Sequence, residues 1–246
     1  MTPWVATLEK AALQCILIFT NTARNHPGLN ALSTITMIDI EQYRRKISKD
    51  EINELPLQGY EGDIMLVTNE EDAEYAVNEI ADEPLLGFDT ESRPAFKKGM
   101  YFLPSLIQIA TSSKVYIFQL SKTPFPEALR AIFEDKKVIK SGVAVRDDVK
   151  DLQKLEPFKD AGFLDLGAIA LEHKLETHGL RNLAAKFLGI RISKAARCTN
   201  WANKSLTKAQ IRYAATDAWI SRELFLQMND AGLIPTNGNG KKPKKK

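Results

Sequence analysis

The sequence predicts an α/β protein, with a mixed five- or six-stranded sheet flanked by helices in one domain. Three features carry this expectation. Three β-type runs follow one another between residues 85 and 120, helix and strand patterns alternate from 127 to 173, and a long capped helix closes the regular region.

Residues 41–61, EQYRRKISKDEINELPLQGYE, are polar and charged with scattered apolar anchors, and read as a lead-in that wraps the domain. Ile64 to Thr68 is a short β-type run, after which Asn69 caps a helix with the apolar face Ala73, Ala76, Val77 and Ile80. LLGFDTE (85–91) is an apolar strand ending in two acids. Residues 94–104 are loop-like and hold Phe96, Lys97, Lys98, Gly99, Tyr101 and Phe102. LIQIAT (106–111) and KVYIFQL (114–120) meet at Ser112 and Ser113, so a hairpin extends the first strand into a meander. After Pro124 and Pro126 come a helix in EALRAIFED, a short strand around KVIKSG and a helix near DDVKDLQKL. FLDLGAIALEH is strand then helix, and GLRNLAAKFLG is a compact amphipathic helix bounded by Gly179 and Gly189. Ile192 to Lys204 is irregular and basic. Thr207 and Gln210 then form a capping box for a helix with the stripe Ile211, Ala214, Ala215, Ala218 and Leu224, running to about Met228.

With 246 residues, 44% hydrophobic and 26% charged, the chain is long enough to bury a proper core, and its composition excludes disorder and collagen. The net charge is +3, but the terminal KKPKKK supplies five lysines, so the remainder carries about −2. Residues 233–246 read as a flexible basic tail. Two cysteines, Cys15 and Cys198, exclude a disulfide framework and fit a reducing, cytoplasmic compartment. Three histidines are too few for an imidazole metal centre, so any metal must be held by oxygen, which favours Mg²⁺ or Mn²⁺. The apolar run Leu13 to Phe19 is too short to span a bilayer and is poorly flanked for a signal peptide, so no membrane partner is expected. Residues 1–44 read as an N-terminal extension. Met37 is a candidate start within it.

Asp89 and Glu91, two apart on a strand, emerge on one face, while Phe88 and Thr90 point the other way. Unit charges about 4 Å apart repel by roughly 4 kcal/mol at an effective dielectric near 20, so a buried pair calls for a cation. A strand ending in solvent would carry the same pair at little cost. Two further places supply acids: Asp147 and Asp148 follow a Gly-containing strand at a helix start, and Tyr213 and Asp217 lie four apart on one helix face. Each alone is also consistent with a cap or a chance spacing.

Taken in order, LGFDTE, KSGVAVRDDVKDL and YAATDA resemble the three motifs of the DEDDy 3′–5′ exonucleases, with the Tyr-x-x-x-Asp spacing of the tyrosine subclass. The look is of RNase D-like and Werner-syndrome-type domains, and extends to the segments ISKDEINELPLQGYEG, LIQIAT, LRNLAAKFLG and TNWANKSLTKAQIRYAATDA, over about residues 45–228. The resemblance implies an RNase H-like fold over residues 45–232. It also implies Asp89, Glu91, Asp148 and Asp217 as ligands of two divalent cations, Mg²⁺ or Mn²⁺, with Tyr213 orienting water. Counting from Lys140 and Gly142 in the family pattern lands on Asp148, with Asp147 as the fallback.

The implied reaction is hydrolysis from the 3′ end of a nucleic acid, releasing nucleoside 5′-monophosphates. Tyr213, with an ordinary pKa near 10, suits positioning a water better than acting as a base at pH 7. The Werner-type look leans toward DNA. An RNase D-like RNA-processing enzyme and a non-catalytic binding module of the same fold are the alternatives, although all five motif positions carry the expected side chain. The sequence ends soon after the third motif, so a stand-alone exonuclease is expected. Phe96, Lys97, Lys98, Arg181 and Trp201 are candidate substrate contacts, each also compatible with plain packing or solvation. His173 and His178 read as surface or helix-end residues, and the lysine tail as a source of nonspecific phosphate affinity or a solvated end.

Overall fold

The computed structural model describes residues 41–235. The lead-in folds as α1 (Glu41–Arg44), α2 (Lys49–Glu54) and β1 (Leu57–Gln58). The body continues with β2 (Asp63–Val67), α3 (Glu70–Ile80), β3 (Leu85–Ser92), β4 (Pro104–Ala110), β5 (Lys114–Gln119), α4 (Glu127–Glu134), β6 (Ile139–Gly142), α5 (Val145–Leu155), β7 (Phe163–Asp165) and α6 (Leu166–Glu172). It closes with α7 (Leu180–Leu183), β8 (Arg191–Ile192) and α8 (Lys208–Asp230).

Six strands form one mixed sheet in the order β2-β5-β4-β3-β6-β7. The meander is present: β3, β4 and β5 pair antiparallel in sequence. β6 adds parallel to β3 and β7 parallel to β6, while β2 adds parallel to the far side of β5. Both faces of the sheet are covered, which is why LLGF reads as a continuous apolar run rather than an alternating one. Leu86 and Phe88 join the core under α3, α4 and α5. Leu85 faces the other way into the core shared with α6 and α8. Lys140, fully buried in β6, donates from Nζ to the carbonyls of Ile132 and Asp135 at 2.9 and 2.8 Å, fastening the end of α4 to the sheet. Burial pushes its pKa down to about 8.

The caps at Asn69 and Thr207 form as the sequence suggests, the second with the full reciprocal box. A similar box, Ser48 with Glu51, opens α2 inside the lead-in and was not foreseen. Nor was the two-stranded parallel sheet of β1 and β8, whose two-residue strands are too short to show a period. The helix expected over 179–189 keeps its two glycine bounds but is not α throughout: after α7 the chain widens into a π turn, Ala184–Leu188, and stops at Gly189 with φ 65°. Tyr43 stacks on Phe187 at 4.4 Å, and Leu233 is buried beneath α8, so packed structure begins before residue 45 and extends past 232. The rest of the expected N-terminal extension, with Leu13 to Phe19, Cys15 and Met37, and the basic tail from 236 onward lie outside the described residues. Among the described residues no helix is long and apolar enough to cross a membrane.

α8 crosses β3 at very close range. A Cβ at Gly87 would stand 2.0 Å from the Ala218 carbonyl oxygen and 2.9 Å from the backbone nitrogen of Arg222. Gly87→Ala must therefore push α8 off the sheet. Overpacking of this kind costs about 1–3 kcal/mol or more, and is expected to lower the midpoint of urea unfolding accordingly. An unchanged midpoint would mean that the helix is free to shift.

Candidate active site

β3 delivers Asp89 and Glu91 at its C-terminal end on the face that α8 covers. Glycine at 87 and alanines at 214 and 218 keep the helix close enough for Asp217 to reach them. One carboxylate oxygen from each of Asp89, Glu91 and Asp217 lies within 4.8 Å of the other two. The Thr207 box sets where α8 begins, and Tyr213 follows one turn before Asp217 on the same side.

Asp148 arrives from the opposite face. Its helix, α5, starts at Ala144, a non-glycine residue in the left-handed region at φ 63°, at a cost of about 1–2 kcal/mol. The Ala144 N–H donates to the Asp165 carboxylate at 3.0 Å, which also caps α6 at Gly167 and Ala168. Gly142 permits the approach, since a Cβ there would meet the Phe88 carbonyl oxygen at 2.6 Å. Thr90 Oγ1 then donates to Asp148 Oδ1 at 2.6 Å. Asp148 thus stands outside the trio of close oxygens, tied to the residue between the two strand acids. Asp147, the fallback in the motif count, is exposed and pairs with Lys150 at 2.7 Å.

Burial dominates the electrostatics. It pushes Glu91 up to about 9, Asp217 to about 7 and Asp148 to about 6, and Asp89 well above the carboxylate range. The charges of Asp217 and Asp148 raise Asp89 and Glu91 further, Arg197 partly offsets this for Glu91, and at Asp217 the hydrogen bond from Tyr213 and the charges of Arg181 and Arg197 oppose the effect of burial. Burial and the adjoining carboxylates hold the Tyr213 phenol far above its ordinary value, so it stays protonated. Asp217 Oδ1 is buried without a hydrogen-bond partner. A buried acceptor left open among carboxylates that repel one another fits a divalent cation held by hard oxygen ligands, and the donor set suits Mg²⁺-like chemistry.

The cleft over these acids has a volume of about 550 Å³ and a basic wall of Arg181, Lys194 and Arg197, with Asn182 beside them. Of the expected substrate contacts, Arg181 lies in this cleft, its Nε donating to the Ile192 carbonyl at 3.2 Å. Phe96, 81% exposed, and Lys97 line a separate hollow with Cys198 and Asn200, and Lys98 is exposed on the same loop. Trp201 is corrected as a surface contact: it is fully buried, tilted against Tyr213 with ring centroids 5.8 Å apart, and supports that ring from behind. His173 ends α6 and bonds the Leu233 carbonyl through Nε2 at 3.0 Å, while His178 is exposed. Thr90, Asn182, Lys194 and Arg197 were not picked from the sequence. The only signal for the last two was the basic character of 192–204.

Comparison with known proteins gives a consistent result. The sequence model of the 3′–5′ exonuclease family matches residues 64–232. The bifunctional 3′–5′ exonuclease/ATP-dependent helicase WRN of Mus musculus is 32% identical over 189 residues, covering 72% of this chain but 13% of that protein's length. Among solved structures, the Nibbler EXO domain of Aedes aegypti superposes with a TM-score of 0.64 at 24% identity, over 71% of this chain and 93% of that one. Escherichia coli RNase D gives 0.61 at 19% identity, over 70% and 47%. The six-stranded mixed sheet with helices on both faces is thus the RNase H-like fold of RNase D-type exonucleases, and the chain belongs to the 3′–5′ exonuclease family.

Proposed function

We infer that the protein is a metal-dependent exonuclease that hydrolyses the terminal phosphodiester at the 3′ end of a nucleic acid, with DNA as the favoured polymer. The observation that carries this reading is the close trio of half-buried Asp89 and Glu91 with buried Asp217, an open acceptor on Asp217, and a basic cleft in front of them. Two divalent cations, Mg²⁺ or Mn²⁺, are assigned to Asp89, Glu91, Asp148 and Asp217. When bound they neutralise the diester and make a water acidic enough to attack at neutral pH.

The chain's own groups do the rest. Tyr213, kept protonated, donates a hydrogen bond that aims the attacking water and takes no proton from it. Arg181, Lys194 and Arg197 hold the phosphate's charge against the acid wall. Thr90 fixes the direction of Asp148. Water adds to phosphorus, the bond to the neighbouring 3′ oxygen breaks, and that oxygen leaves with a proton. The products are a nucleoside 5′-monophosphate and a strand shorter by one. The lean toward DNA draws on the Werner-type look of the motif segments.

Asp217→Asn is expected to abolish release of 5′-monophosphates from an end-labelled strand, and Tyr213→Phe to slow kcat about 10²-fold or more while KM changes little. Release of 3′-monophosphates, or activity that survives a chelator, overturns the assignment. On matched DNA and RNA strands, DNA should be degraded faster; equal rates would remove the polymer preference.

Metal removal has a signed effect on stability. Folding raises the pKa of Glu91 to about 9 and of Asp217 to about 7, so the native state holds protons that the unfolded chain releases near pH 4. The unfolded state then binds fewer protons, and stability falls as pH rises from about 4 toward 9. In a chelator, Tm is expected to drop across this range. Mn²⁺ should restore it, and by more at pH 8 than at pH 5. A Tm indifferent to Mn²⁺ at both pH values would count against a cation among these acids.

A further inference from the structure

The cleft does not end at the carboxylates. Arg181, Asn182 and Lys194 line it on one side and line a second groove, of about 860 Å³, on the other. The far bank of that groove is the lead-in, which contributes Arg45, Lys46 and Lys49. Five cations therefore face one lining acid, Glu51. That acid is engaged by Arg45 at 2.6 Å and by the Ser48 N–H at 2.8 Å within the lead-in itself. This concentration of positive charge stands against a residual charge of about −2 for the chain without its terminal lysines.

The geometry points to a track for the substrate strand: its 3′ end lies in the carboxylate cleft, and its 5′-ward backbone runs over Arg181 and Lys194 into the groove against Arg45, Lys46 and Lys49. This inference rests on the exonuclease reading and adds the route. The groove offers cations and aliphatic Ile47 and Ile52 but no aromatic ring, so it grips phosphates without stacking bases. Recognition there is of the phosphate backbone, indifferent to sequence and strongly dependent on salt. The tie between the lead-in and the body is specific rather than incidental. Pro56 O accepts from the Arg191 N–H at 2.9 Å, and β1 pairs with β8 directly before the Ser193 to Arg197 turn. The lead-in and the basic wall of the cleft are therefore held as one surface.

The test compares the wild type with Lys46→Ala/Lys49→Ala in two assays. The first is binding of a single-stranded oligonucleotide of about 10 nucleotides, in a chelator, by fluorescence anisotropy across a salt series. The slope of log K against log salt is expected to fall by about 0.7 for each lysine lost, with affinity down several-fold, and Lys46→Arg/Lys49→Arg should restore both. The second is the ratio of KM for that strand to KM for a dinucleotide, which spans only the cleft. The ratio should rise several-fold in the alanine variant. An unchanged slope and an unchanged ratio overturn the track, as does a defect confined to duplex substrates. A wild type that fails to cleave the dinucleotide at all indicts the exonuclease reading instead, so the two failures are distinguishable.

Discussion

The contact on which the site depends is the one between α8 and β3 at Gly87. A helix packed on a sheet at ordinary separation leaves room for side chains between them; here the Ala218 carbonyl sits where a Cβ of residue 87 would be. That intimacy is what brings an acid from the helix within 4.8 Å of two acids from the strand. Glycine and alanine at the crossing serve as spacers whose smallness sets the distance between charges. On the face that α8 covers, Trp201 is buried with Leu106, Val115 and Ile117 against Ala214, Ala215 and Ala218, and this burial holds the helix to the sheet.

The cluster so formed works against folding. Carboxylates about 4 Å apart repel by roughly 4 kcal/mol at an effective dielectric near 20, and burial adds to the cost of every charge. Part of the relief comes from within. The Tyr213 hydroxyl, Arg181 and Arg197 temper the rise that burial imposes on Asp217, and Thr90 satisfies one oxygen of Asp148. The remainder appears as raised pKa values and an open acceptor on Asp217. The strained turn at Ala144 belongs to the same account, since it aims the first turn of α5 and hence Asp148. Stability is spent where the chemistry is, while Lys140 and the paired caps of α3 and α8 reinforce positions remote from it.

Much of this was legible in the chain. The main elements from 70 onward show in local sequence, the strands as short apolar runs and the helices as 3.6-residue spacing or a cap, because such signals need only neighbours to show. Gly179 and Gly189 bound the helix as the sequence suggests, yet its π turn has no local signal, and the Tyr43 ring that stacks on Phe187 within it comes from 144 positions away in the chain. Trp201 illustrates the same limit, since an aromatic in a basic, irregular segment is more often a packing anchor but also fits a substrate contact, and its burial decides for the anchor.

What the sequence determined by itself was the identity and order of the acids, the strand and helix that carry them, and the spacing that puts Tyr213 and Asp217 on one face. What only the tertiary structure decided was which acids meet, that Asp148 is held through Thr90 from the other side of the sheet, and that Arg45, Lys46 and Lys49 face Lys194 across a groove. The reason is range: periodicity and capping act over a few residues, whereas the distance between two charges on separate elements is fixed by how closely their backbones pack, and at Gly87 that is set by the absence of a side chain.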